Sequence, residues 1–157
     1  MKGNEIILTN NPQGDFLEGI ISGTPKPGTC MQIQAGTAPK GGRHTYEAYN
    51  PSADGDPRNI YVLLPDSLQG KTATDAYVSG TRGFLYCPLP GDELNMLVKD
   101  LVGTADTHTI GERYTVEHGS GKLITQSTSA NAAPFTGMEA TAGLAADSLV
   151  WVMRNVF

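Results

Sequence analysis

Between Arg82 and Leu101 the chain reads RGFLYCPLPGDELNMLVKDL, and few folds accommodate such a stretch. Phe84 to Cys87 is a compact apolar run, Leu94 to Val98 is a second, and Pro88-Leu89-Pro90-Gly91 stands between them. A proline fixes its own φ and offers no backbone N–H, whereas glycine tolerates the positive φ of a sharp corner. Each run is too short for a core helix. The pair therefore reads as two buried strands that change direction at the corner and form the core of a β-rich domain.

The rest of the chain has the same character. Ile6-Ile7-Leu8 is followed by the breaker Asn10-Asn11-Pro12-Gln13-Gly14, so residues 1–17 read as an extended arm ahead of a single β-rich domain over residues 18–157. Such an apolar arm can pair with its own sheet or add to the edge of another subunit. Strands are expected over Glu18 to Ser22, over Thr29 to Gln34, and over His44 to Tyr49, where Tyr46 and Ala48 share one face and Thr45, Glu47 and Tyr49 the other. Asn59 to Leu64 is a continuous β-branched and aromatic run, a buried strand. Strand character resumes at Ile110 and runs to Val116. The turn His118-Gly119-Ser120-Gly121 then makes Tyr114 to Gln126 a hairpin. Gly103 to His108 and Ser127 to Ala133 read as loops, Phe135 to Thr141 fits either a strand or an irregular segment, and Asp147 to Met153 closes the chain as a strand whose Trp151 belongs to the core. No stretch sustains a 3.6-residue period. The fold class is all-β, a small barrel or sandwich, with a jelly roll among the arrangements open to it.

At 157 residues the chain can bury a core without metal or disulfide support. Its two cysteines, Cys30 and Cys87, lie in apolar runs without a CxxC spacing and read as buried, reduced thiols. Charged residues make up 17%, against about 25% in typical domains, so much of the polar surface is uncharged and suited to packing on neighbours. The net charge of −5 argues against phosphate-backbone binding, and no basic–aromatic interleaving favours nucleic acid. Ile6-Ile7-Leu8 is too short for a signal sequence or a membrane span, so synthesis in the cytoplasm and no membrane partner are expected.

A search for chemistry returns no catalytic, cofactor or metal assignment. His44, His108 and His118 sit in or beside polar turns and read as exposed, with no HExxH spacing. Asp54 and Asp56 lack the further ligands of a calcium loop and read as turn formers. Gly70-Lys71-Thr72 suggests a phosphate loop, but Pro65 occupies the position of its first glycine and removes a needed N–H. A Cys–His nucleophile pair needs an accessible thiol, and apolar surroundings oppose that. Asp92 and Glu93 are strand neighbours pointing to opposite faces, so they do not share a substrate as a hydrolase pair. Asp92 is expected to cap its own turn, and Glu93 to form an ion pair between subunits.

The segments Lys71 to Asp75, Pro88 to Met96, Pro134 to Glu139 and Leu149 to Val152 give the region from 60 to 153 a texture that resembles tailed-phage head decoration, or cement, proteins. Members of that group are small, β-rich and non-enzymatic. They sit on the outside of icosahedral shells of HK97-type major capsid protein, commonly as trimers or dimers. The resemblance implies a virion protein on the capsid surface that bridges and stabilises major capsid proteins, with an arm lying along capsid strands. The interface candidates are Ile6, Ile7, Leu8, Phe16, Leu17 and Glu93. The rival expectation is a carbohydrate- or receptor-binding β-module that stacks its ligand on Tyr46, Tyr49, Tyr61, Tyr77 or Trp151.

Overall fold

A computed structural model describes residues 5–9, 12–50, 60–99, 107–126, 133–145 and 147–155. Among them the chain is all-β. Strands β1 (Asp15–Ile21), β2 (Cys30–Ile33), β3 (Thr45–Ala48), β4 (Tyr61–Leu63) and β5 (Arg82–Cys87) close a barrel in the order β1-β3-β2-β4-β5. Further along come β6 (Glu93–Leu97), β7 (Thr107–His108), β8 (Arg113–Val116), β9 (Leu123–Thr125), β10 (Phe135–Gly137), β11 (Thr141–Ala142) and β12 (Leu149–Arg154). Five of these form a second sheet in the order β6-β12-β10-β8-β9, and β7 pairs with β11 as a separate ribbon. Among the described residues the only helical element is a single 3-10 turn at Ser67–Gln69, and no helix there is long and apolar enough to cross a membrane.

The period of two sorts side chains into two cores. Ile21, Met31, Tyr46, Leu63 and Leu85, one from each barrel strand, fill the barrel with Tyr77. Their strand neighbours Cys30, Val62 and Tyr86 point outward and pack against Leu94, Met96, Tyr114, Val116, Phe135, Val150 and Val152 of the second sheet. Every one of these core side chains is buried. The barrel wall thus serves as one layer of a sandwich, which is why β4 and β5 read as continuous apolar runs and not as clean alternation.

Closing five short strands leaves little interior space. Gly19 of β1 faces Gly83 of β5 across the longest pairing in the barrel. A Cβ on Gly19 would lie 2.3 Å from the Tyr46 ring, and one on Gly83 would lie 2.4 Å from Ile21. At that level the ring and the isoleucine occupy the space that side chains on β1 and β5 would need. The barrel closes because β1 pairs parallel with β3 on one side and antiparallel with β5 on the other.

The corner after β5 does more than reverse direction. β5 belongs to the barrel and β6 to the opposing sheet, so Pro88 to Gly91 carries the chain from one layer to the other. The outer edge of β6 is then covered in sequence. Leu8 N–H donates to the Glu93 carbonyl (2.9 Å), Asn95 N–H to the Ile6 carbonyl (2.8 Å) and Leu97 N–H to the Gly28 carbonyl (3.1 Å). Lys99 N–H reaches the Leu123 carbonyl (2.9 Å), bringing β9 round towards β6. The N-terminal segment is therefore a strand-like cover on the chain's own sheet, with Ile6 2% exposed in the larger core. The arm expected over residues 1–17 also ends early, since Asp15 to Leu17 already pair within the barrel.

Several expectations meet the structure directly. The hairpin of β8 and β9 forms as the turn chemistry indicates. Strand character does not begin at Ile110, which is 72% exposed in the turn before β8. The segment from Phe135 divides into β10 and β11. Asp54 and Asp56, and residues 127–132 of the expected surface loop, lie outside the described residues.

Candidate interaction surface

At the corner where the chain passes between layers, one carboxylate organises three segments. Asp92 is 2% exposed. Its Oδ2 accepts from the Tyr86 hydroxyl (2.5 Å) and from the Leu89 N–H (2.9 Å), and its Oδ1 is approached by the Gln13 N–H (3.5 Å). The Leu89 bond is the turn cap expected of Asp92. Tyr86 in turn accepts from the Gly14 N–H (2.9 Å). Burial, followed by the hydrogen bond to Asp92, pushes the Tyr86 phenol up to about 12, so it remains protonated and donating at neutral pH. Gly14 is required here: a Cβ would sit 2.0 Å from the Cys87 carbonyl oxygen. The backbone adds further ties, because Arg154 N–H donates to the Asp92 carbonyl and Gly91 N–H to the Arg154 carbonyl, each at 2.8 Å.

This network underlies two exposed apolar side chains. Phe16 pairs with Tyr86 across β1 and β5, and its ring lies 5.0 Å from the Tyr86 ring, tilted by 46°. Phe16 is nevertheless 61% exposed, and Leu89, on the turn capped by Asp92, is 47% exposed. Exposed large apolar groups on a rigid base are the ordinary anchors of protein interfaces.

The other interface candidates are engaged within the chain. Ile6 is core, and Ile7 and Leu8 are half-buried along β6. Leu17 packs against the barrel core. Glu93, expected to pair between subunits, accepts from the Trp151 indole N–H (3.1 Å) through Oε2 and donates its own N–H to the Thr9 hydroxyl (2.6 Å). Trp151 is not a core residue. It sits half-buried on the outer face of its sheet, opposite to Val150 and Val152. Of the rings considered as a stacking platform, Tyr46, Tyr49 and Tyr77 are buried and have no open face, while Tyr61 is half-buried with its edge against Tyr46.

His108 corrects a further expectation, being 1% exposed and not a surface histidine. Its Nδ1 meets the Tyr114 hydroxyl, and its Nε2 lies 3.2 Å from the Trp151 carbonyl. Desolvation pushes its pKa below the ordinary histidine value, so the ring stays neutral: Nε2–H donates to Trp151 and Nδ1 accepts from Tyr114. His44 and His118 are exposed. Cys30 is buried and Cys87 only half-buried, both free. Burial raises both thiols, against the demands of a nucleophile. Among the described residues no three His, Cys, Asp or Glu side chains gather as metal ligands would. No protein-family model matches the chain, and no curated protein matches its sequence.

Proposed function

We propose that the protein is a structural virion component that binds the outer surface of an icosahedral phage capsid and stabilises it by bridging major capsid proteins as a dimer or trimer. The observation that carries this reading is the exposure of Phe16 and Leu89, each anchored on the Tyr86–Asp92 network, Phe16 through the Tyr86 ring and Leu89 through its N–H to Asp92. A decoration protein acts through shape and buried contact, so it needs rigid apolar anchors more than a pocket. A contact of about 800 Å² per partner, repeated over a shell, suffices for stable attachment. The low charge of the chain is compatible with such packing.

The test is co-sedimentation with HK97-type heads stripped of decoration, offered as a panel. The expected result is pelleting at a fixed ratio to capsid subunits with at least one head type. A Phe16→Asp/Leu89→Asp double variant is expected to melt as the wild type does yet stay in the supernatant. Folded wild-type protein that remains in the supernatant with every head overturns the proposal.

A further inference from the structure

β1 has a strand on both sides for only part of its length. It pairs with β5 from Asp15 to Ile20, but with β3 only where Ile20 meets Thr45 and Ile21 meets Tyr46. Backbone groups along a strand point to alternate sides. Ile21 N–H donates to the Thr81 carbonyl (2.9 Å), on the β5 side, so Asp15, Leu17 and Gly19 turn their groups the same way. Phe16, Glu18 and Ile20 turn theirs towards β3. Ile20 N–H finds the His44 carbonyl there (3.0 Å). Earlier than His44 the chain offers no strand, because Lys40 and Arg43 bond to each other across a turn. The N–H and C=O of Phe16 and of Glu18 are therefore without hydrogen-bond partners among the described residues. Both residues are exposed.

An open strand edge is a template for another strand, and here the spacing of the open groups selects which one. Consider an antiparallel pair of two β1 strands about a twofold axis at Leu17. Phe16 of each copy lies opposite Glu18 of the other, and each such pair exchanges two N–H to C=O bonds. Four bonds form, and every open group is used. An axis at Phe16 instead sets Glu18 against Gly14, whose N–H is already given to the Tyr86 hydroxyl (2.9 Å). An axis at Glu18 sets Phe16 against Ile20, whose N–H is given to His44. The side chains suit the same register. Phe16 and Glu18 share the outer face of the barrel, so each ring stands opposite a carboxylate and no like charges face each other directly. Each Glu18 carboxylate is met within its own copy by Arg43 (3.1 Å) and approached by Arg82 (3.8 Å). The two Phe16 residues take diagonal positions, about 7–8 Å apart, and join into one apolar patch.

We propose that two copies of this chain dimerise by pairing their β1 edges antiparallel about a twofold axis at Leu17. The shared ladder is three residues long in each copy, so the dimer is weak and forms in proportion to concentration. The proposal does not rest on the capsid reading: it is measured in solution without shells, and either can fall while the other stands.

The experiment follows the full-length protein by sedimentation equilibrium from about 1 µM to about 1 mM, with amide hydrogen exchange read at both ends of the range. A monomer–dimer equilibrium with a dissociation constant of roughly 10–100 µM is expected. At the high concentration the Phe16 and Glu18 amides are expected to exchange roughly fivefold more slowly, while the Leu17 amide, bonded within the barrel, does not change. Glu18→Pro removes an N–H that no bond within the chain uses, at an edge position where proline is tolerated. It is expected to melt near the wild type and to remain monomeric throughout. Glu18→Gln keeps the backbone and is expected to dimerise as the wild type does. Should the proline variant not fold, the exchange of the wild-type amides decides. A wild type that stays monomeric up to about 1 mM, a dimer whose Phe16 and Glu18 amides exchange as in the monomer, a dimer that survives in folded Glu18→Pro, or equal loss of the dimer in both variants overturns the proposal.

Discussion

Tyr86 shows how much one hydroxyl can organise. Its O–H donates to Asp92 while its oxygen accepts from Gly14, so a single atom ties β5 to the segment before β1 and to the turn after β5. Tyr86→Phe keeps the ring that fills the core but leaves a buried carboxylate oxygen and a backbone N–H short of partners. A loss of about 1–3 kcal/mol in denaturant unfolding is expected. His108 sets an acid limit by a different route. Its folded pKa lies below the unfolded value of 6.5, so the unfolded chain binds more protons in that window. Its contribution to stability is complete above pH 6.5 and fades as pH falls through the window to the folded pKa. The wild type is expected to lose more stability between pH 7 and pH 5 than His108→Gln does, as read from urea midpoints at each pH. The two thiols should also differ. Half-buried Cys87 is expected to react with an aromatic disulfide reagent in the native state, and Cys30 only at the rate of unfolding. Asp92's turn cap was legible because it depends on residues three positions apart. The burial of His108 was not: Trp151 lies 43 residues away, and Tyr114, though only six residues on, meets the ring only because the chain turns back between β7 and β8. Trp151 faced a similar limit: the run Leu149 to Met153 is apolar at every position, and a run without alternation does not say which face points inward.

The N-terminal segment is where element-level reasoning changes most. As an arm it could have been removed at no cost to the domain, and its loss would have been felt only by a partner. In the structure it shields the edge of β6 and contributes Ile6 to the core. Ile6→Ala is expected to cost about 2–5 kcal/mol. Deleting residues 1–9 is expected to cost at least as much and to promote association through the freed edge, seen as a lower melting temperature together with a larger species on sizing. A deletion that left both unchanged would return the segment to the role of a free arm. The existence of most strands was readable from short apolar runs between turns, and the β8–β9 hairpin from its glycine-rich connection. Sheet membership was not. Nothing local in Pro88-Leu89-Pro90-Gly91 distinguishes a turn within a sheet from a crossing between layers. The parallel pairing of β1 with β3 joins strands with β2 between them in the chain, and no residue pattern records such a choice.

At the scale of the molecule, two β layers share one wall, and that wall carries the order in which the parts become available. All five barrel strands lie before residue 88, whereas the opposing sheet needs β12, which ends at Arg154. During synthesis from the N-terminus the barrel can therefore close while the remainder is still being made. Until the last strand emerges, Cys30, Val62 and Tyr86 face water on the barrel's outside, and the segment carrying Ile6 has only β6 to rest against. Growing chains halted before Leu149 should expose a greasy flank that captures a ribosome-associated chaperone, and release of the full-length product should end that attachment.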